Sequence, residues 1–145
     1  MTMSKAALKR WVRQRAHDCC EYCLSQEAFS TDPFADDHIM PQVQGGTSDA
    51  NNLAFSCLGC NGHKFTATKA RDPLTGAMAP LFHPRTDRWK DHFAWEGNFS
   101  LMVGRTPTGR ATVERLLLNR PNLVNLRTAL ATLGKHPPGW FFEEE

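Results

Sequence analysis

Five cysteines and one acidic, histidine-bearing stretch are where this chain could do chemistry. Cys20-Glu21-Tyr22-Cys23 and Cys57-Leu58-Gly59-Cys60 are two C-x-x-C pairs, with Cys19 left over. Each pair can set two thiolates on one side of a tight turn, which is one edge of a metal site. Two such pairs complete a tetrahedral, all-thiolate zinc site. A redox C-x-x-C, or a set of buried free thiols, would leave the second pair unexplained. Four thiolates leave no open coordination position, so Zn2+ held by Cys20, Cys23, Cys57 and Cys60 would be structural, with Cys19 a bystander. The second stretch, "DDHIMPQVQGG" at residues 36–46, sets two carboxylates and one of only six histidines at the mouth of a loop. Polar residues gathered at a strand end would explain it, and so would a site.

The elements that must position these residues follow from the apolar pattern. Leu8, Trp11, Val12 and Ala16 recur at helical spacing after Ser4, a suitable N-cap, and this helix runs into the first cysteine pair. Lys5, Lys9, Arg10 and Arg13 lie off its apolar stripe, a face for a polyanion or simply for solvent. "FADDHI" reads as a short strand, Pro41 to Asn51 as a long loop carrying Gly45-Gly46, and "NLAFSC" as a second strand delivering the second cysteine pair. "CNGHKFTATKA" has helical character despite Gly62. Residues 72–91 are Pro-rich and irregular, and "HFAWEGNFSLMVG" is a hairpin turning at Glu96-Gly97-Asn98. Thr106-Pro107 opens a helix with Val113, Leu116 and Leu117 inward. Pro121 opens another, striped by Leu123, Leu126, Leu130 and Leu133 and ended by Gly134.

At 145 residues the simplest organisation is one domain, with a core at about 17–70, an extension at about 71–135 and a frayed tail at 136–145. The 41% hydrophobic and 22% charged content excludes a disordered chain. No apolar run is long enough to cross a bilayer and no hydrophobic signal segment opens the chain, so the expected location is the cytoplasm, where thiols stay reduced. A net charge of +2 says little, but residues 1–17 hold only basic charges, and arginines recur from Arg105 to Arg127.

Taken together, "CEYC…DDHIMPQVQGGTSDANNLAFSCLGCNGHK" resembles the ββα-metal core of the HNH endonucleases, including its four flanking zinc cysteines, over roughly residues 20–64. "RAHDCCEYC", "HPRTDRWKDHFAW" and "GRTPTGRATVERLLLNRP" are similar to segments of a group of small bacterial HNH proteins. The resemblance implies an α+β fold: a zinc-stapled ββα-metal core, an N-terminal helix, and a C-terminal hairpin with two helices. It also implies a metal-dependent endonuclease acting on DNA, double-stranded, as a monomer or homodimer, and leaving 3′-hydroxyl and 5′-phosphate ends. The core helix after Cys60 would approach the minor groove.

Each motif position then has a task. His38, whose unperturbed pKa is near ~6.5, can take a proton from water. Asp37 and Asn61 offer oxygens to Mg2+ or Mn2+. Asn52 would pin the loop and hold the imidazole in its useful tautomer. Lys64 would neutralise charge on the phosphate. The family's terminal histidine is replaced here by Asn61. His63 is an alternative ligand, but Asn61 and Lys64 share a helical face that His63 does not, which makes His63 a phosphate contact or an idle surface residue. Adjacent strand residues point to opposite faces, so Asp37 and His38 act together only if the strand ends there. Asp36 and Asn51 are the weaker choices beside Asp37 and Asn52, and His92, Trp89 and Trp95 are expected to pack. The rival function is a non-catalytic, zinc-ribbon-like nucleic-acid-binding module. It accounts for the cysteines and arginines but not for the full set of Asp37, His38, Asn52, Asn61 and Lys64.

Overall fold

Ser4 opens helix α1 (Lys5–Arg15) by accepting a hydrogen bond from the Ala7 amide at 3.1 Å, which satisfies one of the amides that a helix start leaves without a partner. These are features of a computed structural model that describes residues 3–143. Val12 is the buried residue of α1, and it joins Ala16, Leu53 and Phe55 in a small core edged by Leu8 and Phe34. Trp11, expected on the same stripe, stays 44% exposed, with the Arg15 guanidinium 6.0 Å from its ring.

Strands β1 (Ala35–His38) and β2 (Leu53–Ser56) pair antiparallel, with Asp37 opposite Ala54 and His38 opposite Leu53. All four β2 residues are buried, which fits the unbroken apolar run before its terminal serine. Helix α2 (Leu58–Lys64) follows at once and packs on β1, completing a ββα unit, while α1 packs on β2. Cys57 caps α2 through its sulfur, which accepts from the Cys60 amide at 3.4 Å. This first compact unit ends at Thr66, and a second begins at Ala67.

The second unit is also α+β. A short hairpin pairs β3 (Lys69–Arg71) with β4 (Met78–Pro80): β3 begins in the stretch read as helical, whose helix stops at Lys64, and β4 lies in the Pro-rich stretch read as irregular. After the one-turn helix α3 (Trp89–His92), the expected hairpin forms from β5 (Phe93–Glu96) and β6 (Leu101–Gly104). Helices α4 (Pro107–Leu116) and α5 (Pro121–Thr132) begin at the prolines the sequence marked. The inward face of α4 is Gly109, Ala111, Thr112 and Leu116, while Leu117 ends the helix at φ 50° and stands 49% exposed.

Two expectations for this unit are corrected. Residues 136–141 are not frayed: His136 is buried with Nε2 2.9 Å from the Phe99 carbonyl, and Phe141 meets Trp89 edge to face at 5.5 Å. The aromatic area of this segment outweighs the acidic run beside it. Glu144 and Glu145, also assigned to the tail, lie outside the described residues. The recurrent C-terminal arginines are largely spent within the fold. Arg110 makes a two-pronged pair with Asp72 at 2.9 and 3.0 Å. Arg127 is buried under Trp95 and donates to the Ser100 carbonyl and to Asn119 Oδ1. No helix of the described residues is long and apolar enough to cross a membrane.

Candidate active site

The four C-x-x-C sulfurs lie within 4.8 Å of one another. A tetrahedron with zinc–sulfur bonds of about 2.3 Å has edges of about 3.8 Å, and the Cys23–Cys57 sulfurs are 3.8 Å apart. The donor set and its spacing therefore fit a structural zinc. Cys20, Cys23 and Cys60 are buried. Burial pushes the Cys20 thiol up, while hydrogen bonding from Cys20 and the other two thiols pulls Cys23 down. A cation at the centre of the cluster would stabilise the ionised sulfurs. Cys19 stands outside the cluster, with its sulfur 3.3 Å from the His17 carbonyl. Glu21 ties this cysteine turn to β2 twice, through its amide to the Phe55 carbonyl and through its carboxylate to the Phe55 amide, both 2.9 Å.

Between the two ligands of the first pair sits Tyr22, the chain's only tyrosine, fully buried. Its hydroxyl donates to Asp37 Oδ2 at 2.7 Å. Burial first, and then the Asp37 charge, holds that hydroxyl protonated well above the usual phenol range. Lys64, at the end of α2, places Nζ 3.1 Å from Asp37 Oδ2 and 3.5 Å from Oδ1, and also donates to the His38 and Ile39 carbonyls at 3.3 and 3.2 Å. Both side chains are within a few percent of full burial. This placement departs from the expectation that Lys64 meets phosphate: its ammonium group is inside, holding Asp37 and the end of β1. The reason is the α2–β1 packing, which turns the last helical residue inward, where its charge demands a partner.

His38 ends β1 and is half-exposed. Its Nε2 is 3.0 Å from the Ser48 hydroxyl, and among the described residues Nδ1 has no hydrogen-bond partner. The strand does end at His38, but both Asp37 and His38 are in register, so their side chains go to different partners on opposite faces. Asp36 alternates onto the His38 side. Burial raises its carboxyl, opposed by Lys9, Arg13, His38 and Arg15.

Asn52 does pin the loop. It accepts from the Met40 amide at 2.8 Å and donates to the Met40 and Thr47 carbonyls at 3.0 and 2.7 Å. The imidazole contact expected of it belongs to Ser48 instead. Gly46 crosses so close over Met40 that a Cβ there would lie 1.7 Å from the Met40 oxygen, so any side chain would displace the loop. Arg15 clamps the other side, donating to the Ala50 and Leu53 carbonyls at 2.9 and 2.7 Å.

Asn61 lies one turn before Lys64 on α2, partly exposed, and its carboxamide has no hydrogen-bond partner among the described residues. His63 is exposed. Lys5, Lys9 and Arg10 are exposed on α1, whereas Arg13 is drawn to Glu27 at 3.4 Å and Asp18 at 3.8 Å. Tyr22, Ser48, Arg15 and Gly46 were missed as site residues. Tyr22 carried a signal in its position between two zinc-type cysteines, and Gly46 in the Gly45-Gly46 pair of the loop.

Residues 20–66 match the family model of the HNH endonucleases. No curated protein and no solved structure matches the chain. The matched segment spans the cysteine cluster, both strands of the first sheet and all of α2, so this part of the chain is similar to an HNH endonuclease domain.

Proposed function

We propose that this protein is a metal-dependent DNA endonuclease that hydrolyses phosphodiester bonds with His38 as general base. The observation that carries the reading is His38 itself, within the HNH segment, half-exposed and, among the described residues, anchored through Nε2 alone, so that Nδ1 can meet a water. Nδ1 takes the proton as the water oxygen attacks phosphorus, and the leaving oxygen departs on the 3′ side, as in the family it resembles. Asp37 and Asn61 would hold Mg2+ or Mn2+, which when bound would neutralise the phosphate and the leaving oxygen. Two hard oxygen donors are on offer from β1 and α2: the Asn61 carboxamide has no hydrogen-bond partner among the described residues, while the Asp37 carboxylate, buried against Lys64 and Tyr22 on the face opposite His38, would have to exchange its Lys64 contact for the ion. Lys64 and Tyr22 keep the Asp37 carboxylate in one orientation. Cys20, Cys23, Cys57 and Cys60 would hold zinc, which when bound would fix the Tyr22 turn against the β2–α2 junction. Lys5, Lys9 and Arg10, with Arg13 at the edge, would meet backbone phosphates of double-stranded DNA, and His63 on α2 would add a further contact.

The buried Asp37–Lys64 pair favours a second reading, a zinc-stabilised module that binds nucleic acid without cutting it. Supercoiled plasmid separates the two. Zinc-loaded protein is expected to relax it only with added Mg2+ or Mn2+. Binding with no nicking under any divalent ion would establish the second reading.

A further inference from the structure

We propose that Ser48 is the positioning residue for His38, fixing which ring nitrogen can accept the proton; this rests on the nuclease reading above. The contact is built from the loop outward. Gly46 lets the chain pass against the Met40 carbonyl, and its amide closes on the Pro41 carbonyl at 3.0 Å. Asn52 then holds both ends of that loop, at Met40 and at Thr47. The next residue is Ser48, delivered with its hydroxyl 3.0 Å from His38 Nε2.

A serine hydroxyl can accept or donate. Were it to donate to Nε2, Nδ1 would carry the ring proton and could take none from water. When it accepts from Nε2–H, Nδ1 keeps its lone pair. Once the proton has transferred, the imidazolium donates from both nitrogens, so an accepting Ser48 fits the ring before and after the transfer without reorientation. An accepting hydroxyl thus holds the Nε2–H tautomer, and the 3.0 Å contact fixes the ring's rotation. Asn52 acts one step further out, by holding the loop that carries Ser48.

The test compares Ser48→Ala and Ser48→Thr with the parent in zinc-loaded full-length protein. Three quantities are measured: single-turnover plasmid cleavage, affinity for a short DNA duplex, and the His38 ring nitrogen signals by NMR with the ring neutral, assigned with a His38→Gln variant. Ser48→Ala is expected to cut about five- to tenfold more slowly, the worth of one ordinary hydrogen bond. Its DNA affinity should be unchanged, and its ring nitrogens should shift from a single Nε2–H form towards the mixture of free imidazole. Ser48→Thr, which keeps the hydroxyl, should restore most of the rate. A parental rate in Ser48→Ala, or ring signals that it leaves unmoved, overturns the proposal. A parent that never cuts DNA overturns the nuclease reading instead, and the ring signals then decide by themselves whether Ser48 holds His38.

Discussion

In a Lys64→Met variant the Asp37 carboxylate would remain in the interior with the Tyr22 hydroxyl as its remaining partner among those described above. Methionine keeps most of the aliphatic stem, so the change is chiefly electrostatic rather than a cavity. Removing one member of a buried ion pair typically costs about 3–5 kcal/mol, because the other charge is stranded. The His38 and Ile39 carbonyls, which accept from Nζ at 3.3 and 3.2 Å, lose a donor in the same step. Against a total domain stability of roughly 5–15 kcal/mol, that loss would bring the first unit close to unfolding. Adding Asp37→Asn to Lys64→Met removes the stranded charge while leaving an oxygen for Tyr22, so the double variant should recover much of the loss. As a control, Arg13→Gln breaks the Arg13–Glu27 pair, whose arginine side chain is 48% exposed, and should cost about 1 kcal/mol or less. The assay is urea unfolding of zinc-loaded protein, with zinc release to a chromogenic chelator marking the first unit and circular dichroism checking that slopes stay parallel. A Lys64→Met cost no larger than that of Arg13→Gln would refute the buried-pair reasoning.

Purified protein prepared without chelators should carry one zinc per chain by metal analysis. Cys57→Ser should lose it together with the fold, and Cys19→Ser should keep both, since Cys19 lies outside the cluster. Gly46→Ala should displace the loop from Met40 and Asn52, with faster amide exchange at residues 40–48 and weaker cleavage, while zinc content stays intact. The second unit should lose stability in acid through Asp72, whose carboxyl the Arg110 guanidinium holds well below the usual range. A carboxyl depressed in the folded state stabilises above its unfolded value of about 3.9 and loses that contribution as pH falls below it. Asp72→Asn should therefore flatten the acid limb of a stability-versus-pH curve measured on that unit, and an unchanged limb would remove Asp72 from the account.

What could be read from residues alone was what depends on local order. The cysteine pairs declare themselves because ligand type and C-x-x-C spacing are sequence properties. The caps at Ser4 and Thr106 and the prolines at 107 and 121 mark helix starts by local chemistry. Burial is not local, and the errors gather there. Lys64 reads as a surface cation because lysines usually are, and only the seating of α2 on β1 shows that it faces Asp37. Arg110 and Arg127 are two of a recurrent run of arginines in the sequence, and only the fold shows them held by Asp72, Asn119 and Trp95. Ser48 is one polar residue in a polar loop, and nothing marks it until Asn52 and Gly46 set where that loop runs. The β3–β4 hairpin was hidden by short strands and by Pro80 within one of them.

The central claim is that His38 takes the proton from the attacking water. Its most direct measurement is single-turnover cleavage of supercoiled plasmid by zinc-loaded parent and His38→Ala, with Mg2+ or Mn2+ present and DNA affinity measured alongside. The account predicts that His38→Ala folds, keeps its zinc, binds DNA as the parent does and cuts about 10²–10⁴-fold more slowly. A variant that cuts at the parental rate would contradict it.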